Sequence, residues 1–266
     1  SLFHNRYHVD YDPVDEIMVT VGVSEAIGIV MTTLLNPGDE VLIPDPAYLA
    51  YPACVSIARG KPVLVPTRAE DEFKLTVEEL EKKVTPRTKA ILIGYPNNPT
   101  GTVMDRESLE KIADFAQKHD LVVISDEIYC DLTYEGTHTC FASLPGMKER
   151  TLTMNGFSKS YAMTGLRVGY ICGPREIMEQ IYKVHQYEIL CASVTSQYGA
   201  IAALKYCDDD VKAMYDEYAA RREMVYEGLK KIGLSVFKAK GAFYIFPDIS
   251  ITGMDDEGRS EERRVG

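Results

Sequence analysis

Short apolar runs at residues 41–43, 62–65, 90–93, 121–125 and 151–154 alternate along the chain with stretches of helical period. Strands buried on both faces read as continuous apolar runs, so this alternation predicts a mostly parallel sheet with helices on each side. Individual helices are legible. Thr76 followed by Glu79 is a capping-box pattern that opens a helix toward Val84. Leu109, Ile112, Ala113 and Ala116 recur on one face between Asp105 and His119. The segment 25–35 is a further helical run, and Pro174 stands at a helix start leading into Ile177, Met178, Ile181 and Tyr182. Val211, Met214, Tyr215 and Tyr218 begin a long amphipathic helix toward Lys230. That helix, with runs at 234–237 and 242–246 read as strands, opens a second unit. The expectation is an α/β large domain over residues 1–205 and the beginning of a smaller α+β domain over 206–258, with no repeat or flexible linker.

Composition narrows the function classes. The 266 residues are 45% apolar, enough to fill a sizeable core, and the formal charge of −11 disfavours nucleic acid or anionic membrane as a partner. Cysteines at 54, 130, 140, 172, 191 and 207 form no Cys-x-x-Cys pair and no metal-ligand spacing, which predicts free thiols in a reducing compartment and no metal. No apolar run approaches the roughly 18 residues that a membrane span needs, and no signal-like segment opens the chain. A cytoplasmic protein is expected.

The chemistry concentrates in the segment Ser158-Lys159-Ser160-Tyr161-Ala162-Met163-Thr164-Gly165-Leu166-Arg167-Val168-Gly169-Tyr170. A lysine amine can form a Schiff base with an aldehyde, and a fixed guanidinium with nearby hydroxyls can hold a phosphate, so the pair Lys159 and Arg167 suits pyridoxal 5′-phosphate. Taken alone, the pair is equally an exposed Lys and Arg on a loop. Asp126 ends the run 121–125, where open α/β sheets place ligand-contacting residues, although a helix cap is the plain alternative. Gly22, Val23 and Ser24 precede a helical run, where backbone N–H groups and the Ser24 hydroxyl would face an anion.

Five motifs occur in order: Thr20-Val21-Gly22-Val23-Ser24-Glu25-Ala26, Asp45-Pro46-Ala47-Tyr48, Tyr95-Pro96-Asn97-Asn98-Pro99-Thr100-Gly101, Ser125-Asp126-Glu127-Ile128-Tyr129 and the lysine segment. Together they resemble the class I and II aminotransferases of the fold-type I pyridoxal-phosphate superfamily, in the branch holding bacterial and archaeal aspartate and aromatic aminotransferases. The resemblance runs from about Val19 to Pro247 and implies a three-layer large domain with a mostly parallel sheet. It also implies a role for each matching residue. Lys159 is then the Schiff-base lysine and general base, and Asp126 the carboxylate that keeps the pyridine nitrogen protonated. Tyr129 and Asn98 match the positions that hydrogen-bond the cofactor 3-hydroxyl, and Tyr48 matches the aromatic stacked on the ring. Gly22, Val23, Ser24 and Arg167, with Ser158 as a further hydroxyl donor, form the phosphate cup. Read without the family, Asn98 is a turn residue and Tyr48 simple packing.

The function so implied is transfer of an amino group between an L-amino acid and a 2-oxo acid, by a homodimer. Many relatives carry Trp where Leu166 stands, and this chain has no Trp. Acid-selective relatives use an Arg in the segment matching 185–196 or a Lys where Ser24 stands. Here no Arg occurs between Arg175 and Arg221, which favours an aromatic or broad neutral substrate. A cysteine-S-conjugate β-lyase, using the same lysine, aspartate and arginine, is the alternative within enzymes, although Ala162-Met163-Thr164-Gly165 looks more like the transaminases. The aminotransferase-like effector domain of a transcription regulator is the alternative outside them.

The ends also bear on the expectation. The chain opens at Ser1, shortly before the first phosphate-binding turn, and stops before the segment in which the family carries its carboxylate-binding Arg. Residues 259–266, Arg-Ser-Glu-Glu-Arg-Arg-Val-Gly, match the translation of a common sequencing-adapter end and read as an adapter-derived tail. A gene fragment without turnover of its own is expected.

Overall fold

Residues 2–253 are described by the structure, a computed structural model. The expected adapter tail, and residues 254–258 of the expected second domain, lie outside them. In chain order, α1 (Leu2–Tyr7), β1 (Ile17–Thr20), α2 (Gly22–Leu34), β2 (Glu40–Asp45), α3 (Ala50–Ile57) and β3 (Lys61–Pro66) lead to α4 (Val77–Glu81) and β4 (Thr88–Gly94). Then follow α5 (Arg106–Lys118), β5 (Val122–Asp126), β6 (Thr151–Gly156), β7 (Gly169–Cys172), α6 (Arg175–Glu188), α7 (Val194–Tyr206) and α8 (Asp208–Lys231). A two-stranded pair, β8 (Ser235–Val236) and β9 (Pro247–Asp248), completes the order. The main sheet has seven strands in the order β1-β7-β6-β5-β4-β2-β3. Only β7 runs against its neighbours in it, pairing antiparallel with both β1 and β6.

The five predicted apolar runs are the five strands β2 to β6. Val41, Ile43, Ala90 and Leu92 face one core with Ile27, Val30 and Met31 of α2 and Ile181 of α6. Leu42, Ile91, Ile93 and Val123 face the other, with Leu80 of α4 and Leu109, Ile112 and Phe115 of α5. Burial on both faces is why β2, β4 and β5 lack polar alternation, whereas β3 lies at the sheet edge with Leu64 exposed. Asp105 caps α5, its Oδ1 accepting from Ser108 N at 2.8 Å.

Elsewhere the structure corrects the reading. Strands β1 and β7 were not predicted; each is four residues long, and Gly169 interrupts the apolar signal of β7. Helix α2 begins at Gly22, earlier than residue 25, because Gly22 can take the φ of +74° that the turn from β1 requires. Thr76 accepts from Glu79 N, but the Glu79 carboxylate turns to Lys82 instead of closing the capping box, and α4 ends at Glu81, short of Val84. Helix α7 carries no single apolar stripe, since Tyr198, Ile201 and Leu204 are exposed while Ala200 and Ala203 are buried, so its periodicity is silent. Residues 242–246 form no strand. The backbone that leads into them is committed to the loops around Gly101 and Leu132: Lys240 N and Gly241 N both donate to Gly101 O, and Ala242 N donates to Leu132 O. Helix α8 rests beside them through Tyr215 Oη, which donates to Thr133 O, and Arg222 Nη1, which donates to Ala239 O.

Candidate functional site

Ends of parallel strands and the start of α2 converge on one place. Gly94 and Asp126, the last residues of β4 and β5, stand opposite each other in the register. Beyond the end of β6 the chain passes Phe157 to Ser158 and Lys159, and Arg167 lies just before β7. The turn from β1 into α2 brings Gly22, Val23 and Ser24 to the same edge, where open α/β sheets bind ligands and helix N-termini attract anions.

Nearly all the residues singled out in the sequence line this one cleft: Val23, Ser24, Tyr48, Asn98, Asp126, Tyr129, Ser158, Lys159 and Arg167. The tenth, Gly22, touches it through Arg167, since a Cβ built on Gly22 would lie 2.6 Å from Arg167 Nη2. Arg167 itself sits in the left-handed region, at φ 52°, and its Nη1 donates to Thr164 O at 2.8 Å. Two residues, Gly22 and Arg167, therefore hold an uncommon backbone geometry that brings a guanidinium against the first residue of a helix.

Asp126 lines the same cleft and is 5% exposed. Its Oδ2 accepts from Tyr51 Oη at 2.8 Å and its Oδ1 from Ile128 N at 3.2 Å. Burial pushes this carboxyl up to about 6, against the lowering effect of those two donors and of the Lys159 ammonium. The Lys159 amine lies 5.6 Å from the Tyr129 ring centroid and 5.5 Å from that of Phe243. Tyr129 Oη and Tyr244 Oη are 2.6 Å apart, and burial holds the Tyr129 phenol well above its ordinary acidity range. Tyr48 is 40% exposed and meets Tyr51 edge to face.

Tyr51, Thr164 and Tyr244 also belong to the site, although sequence reasoning assigned them no role. Tyr51 follows Tyr48 by three residues, a helical spacing that would have placed both rings on one side. Tyr244 lay in a stretch read only as a strand, and nothing local tied it to Tyr129.

The donor set divides by charge. The cleft gathers a guanidinium, two hydroxyls and the N-terminus of a thirteen-residue helix, which suit a phosphate. It also holds a buried carboxylate, which suits a cationic ring nitrogen, and a primary amine. Among the described residues no group of three or more His, Cys, Asp or Glu could hold a metal ion. No helix among them is long and apolar enough to cross a membrane, and their six cysteines are unpaired.

Comparison with known proteins agrees with this architecture. The family model for aminotransferase class I and II matches residues 1–257. The aromatic-amino-acid aminotransferase 2 of Thermococcus litoralis is 46% identical over 97% of this chain and 67% of its own length. An aspartate aminotransferase of Pyrococcus abyssi is 47% identical, over 96% of this chain and 66% of its own. The crystal structure of the aromatic aminotransferase from Pyrococcus horikoshii superposes with a TM-score of 0.95 at 46% identity, covering 97% of this chain and 70% of that one. The chain thus spans about two thirds of the length of these relatives, and the predicted α/β architecture is the one they share. With the family matched along nearly its whole length, the chain belongs to the aminotransferase class I and II family and is the chain of an aminotransferase.

Proposed function

We propose that the protein uses pyridoxal 5′-phosphate to move an amino group between an aromatic or broadly neutral L-amino acid and a 2-oxo acid. The observation that carries this reading is the convergence of Lys159, Asp126 and Arg167 on one cleft at the C-terminal edge of the sheet.

In this reading Arg167, the backbone N–H groups of Gly22, Val23 and Ser24, and the hydroxyls of Ser24 and Ser158 bind the phosphate. Asp126 faces the ring nitrogen, and a cation there offsets the burial that otherwise raises the carboxyl. Tyr129 and Asn98 hydrogen-bond the ring hydroxyl, while Tyr48 packs on the ring face. When bound, the cofactor supplies an electron sink for the pair left by a departing α-proton. Nζ of Lys159 anchors the cofactor covalently, and once freed it takes the proton from the substrate α-carbon and holds it for redelivery. The rings of Tyr129, Phe243 and Tyr244 pack against one another beside that amine.

The relatives' names include both aspartate and aromatic substrates. The stretch without arginine between Arg175 and Arg221, and Ser24 in place of lysine, favour the aromatic or neutral class. We divide the chain into a large domain over 1–205 and the start of a smaller one from 206. That division is supported by Cys207, which ends α7 and opens α8, and by the separate β8–β9 pair. Exposed Ile201 and Leu204 beside Ile17 and Val19 support a homodimer, and the six unpaired cysteines support the cytoplasm.

The test is an amino-transfer assay on the protein that carries this chain, with a panel of aromatic, neutral and acidic amino acids and a 2-oxo acid acceptor. Transfer fastest from aromatic or neutral donors is expected. Pyruvate release from cysteine conjugates without an acceptor, in place of transfer, would identify the lyase instead.

A further inference from the structure

Asp126 is held by a residue that the family motifs did not bring to notice. Tyr51 and Asp126 are 4% and 5% exposed, and the phenol oxygen lies 2.8 Å from Oδ2. The hydroxyl must be the donor, because burial and the adjacent carboxylate push the Tyr51 phenol well above its ordinary range and keep it protonated. Its position is enforced from two sides. Tyr51 N donates to Tyr48 O at the start of α3, and a Cβ on Gly94 would sit 2.5 Å from the Tyr51 oxygen, so the phenol occupies the space that a side chain at Gly94 would take.

The charged and titratable groups around Asp126 pull in opposite directions. Burial and Glu127, next to it in sequence, favour the neutral carboxyl, and Glu127 is itself held elsewhere by Ser125 Oγ, Phe141 N and His138 Nε2. Tyr51 from α3, Ile128 N and Lys159 beyond β6 favour the anion. Among these, the Tyr51 hydroxyl is the largest opposing influence, and it occupies one carboxylate oxygen while Ile128 N takes the other.

We infer that Tyr51 is a positioning residue for the reaction: its hydroxyl keeps the Asp126 carboxylate ionised and fixes its orientation, so that the remaining lone pairs are available to a cationic ring nitrogen in the cleft. The inference rests on the proposed cofactor reading for its purpose. Tyr51→Phe removes the donor and keeps the ring. Gly94→Ala keeps both partners and forces the phenol oxygen away.

The experiment has two arms on the protein that carries this chain. In the cofactor-free protein, with carbon-13 in the aspartate carboxyls and the signal assigned by Asp126→Asn, the Asp126 titration midpoint should rise by about one pH unit in Tyr51→Phe and in Gly94→Ala. In the protein loaded with pyridoxal phosphate, Tyr51→Phe should lower kcat about tenfold with KM little changed. A midpoint within about 0.2 units of wild type in either folded variant overturns the inference, because a packing role for the ring would leave the carboxyl where it was. Failure of the wild-type protein to link pyridoxal phosphate at Lys159 would defeat the cofactor reading instead, and the carboxyl titration would still decide the part played by Tyr51.

Discussion

Gly22 and Arg167 are in direct contact at the N-terminus of α2, and the contact depends on Gly22 having no side chain: a Cβ there would approach Arg167 Nη2 to 2.6 Å. Gly22 also adopts φ +74°, where other L-residues are strained. The two effects reinforce each other. Gly22→Ala should therefore displace the guanidinium and weaken pyridoxal phosphate binding by at least about tenfold, at a strain cost of about 1–2 kcal/mol. Fluorescence titration of the cofactor-free protein measures this directly, and wild-type affinity in a folded Gly22→Ala variant would contradict it.

Lys159 is expected to carry the cofactor covalently, being the lysine of the cleft that also holds Arg167 and Asp126. Borohydride reduction of the loaded protein followed by peptide mapping should place the label on Lys159, and Lys159→Ala should take up none. Label on any other lysine, or label kept by Lys159→Ala, refutes the assignment.

Asp126→Ala should separate catalysis from binding, since Asp126 bonds to Tyr51 and Ile128 and not to Arg167, which is held by Thr164. Loss of the carboxylate should raise the barrier to transfer by about 3 kcal/mol or more, the scale of a lost catalytic electrostatic partner. Cofactor loading should change far less. Turnover near normal in a fully loaded Asp126→Ala protein would remove Asp126 from its role.

The same residue predicts a pH dependence of stability in the cofactor-free protein. Folding raises the Asp126 carboxyl to about 6, from about 3.9 in an unfolded chain. The folded state binds that proton more tightly, so the stabilising contribution is fully present below about pH 4 and is lost as pH rises through 6. Asp126→Asn removes this dependence. The variant should match wild type near pH 4 and exceed it above pH 6, by on the order of 3 kcal/mol. Urea unfolding of both proteins from pH 4 to pH 8 gives the comparison, and a difference that stays constant across the range would show that Asp126 does not titrate as described.

What the sequence determined by itself follows from local rules. Strands β2, β4 and β5 were readable because burial on both faces forces a contiguous apolar run, and α5 because its apolar residues recur on one face. Lys159, Asp126 and Arg167 were readable because each lies inside a motif whose residues are close in sequence. What only the tertiary structure decided involves partners far apart along the chain. Tyr51 reaches Asp126 across 75 residues and Tyr129 meets Tyr244 across 115, so no window of sequence contains either pair. Strands β1 and β7 are too short to announce themselves, and they are strands because each finds a neighbour in the sheet. Residues 242–246 have the composition of a strand, yet the loops around Gly101 and Leu132 take hydrogen bonds from the Lys240–Ala242 backbone that leads into them. Strand propensity yields there to the partners that the fold supplies.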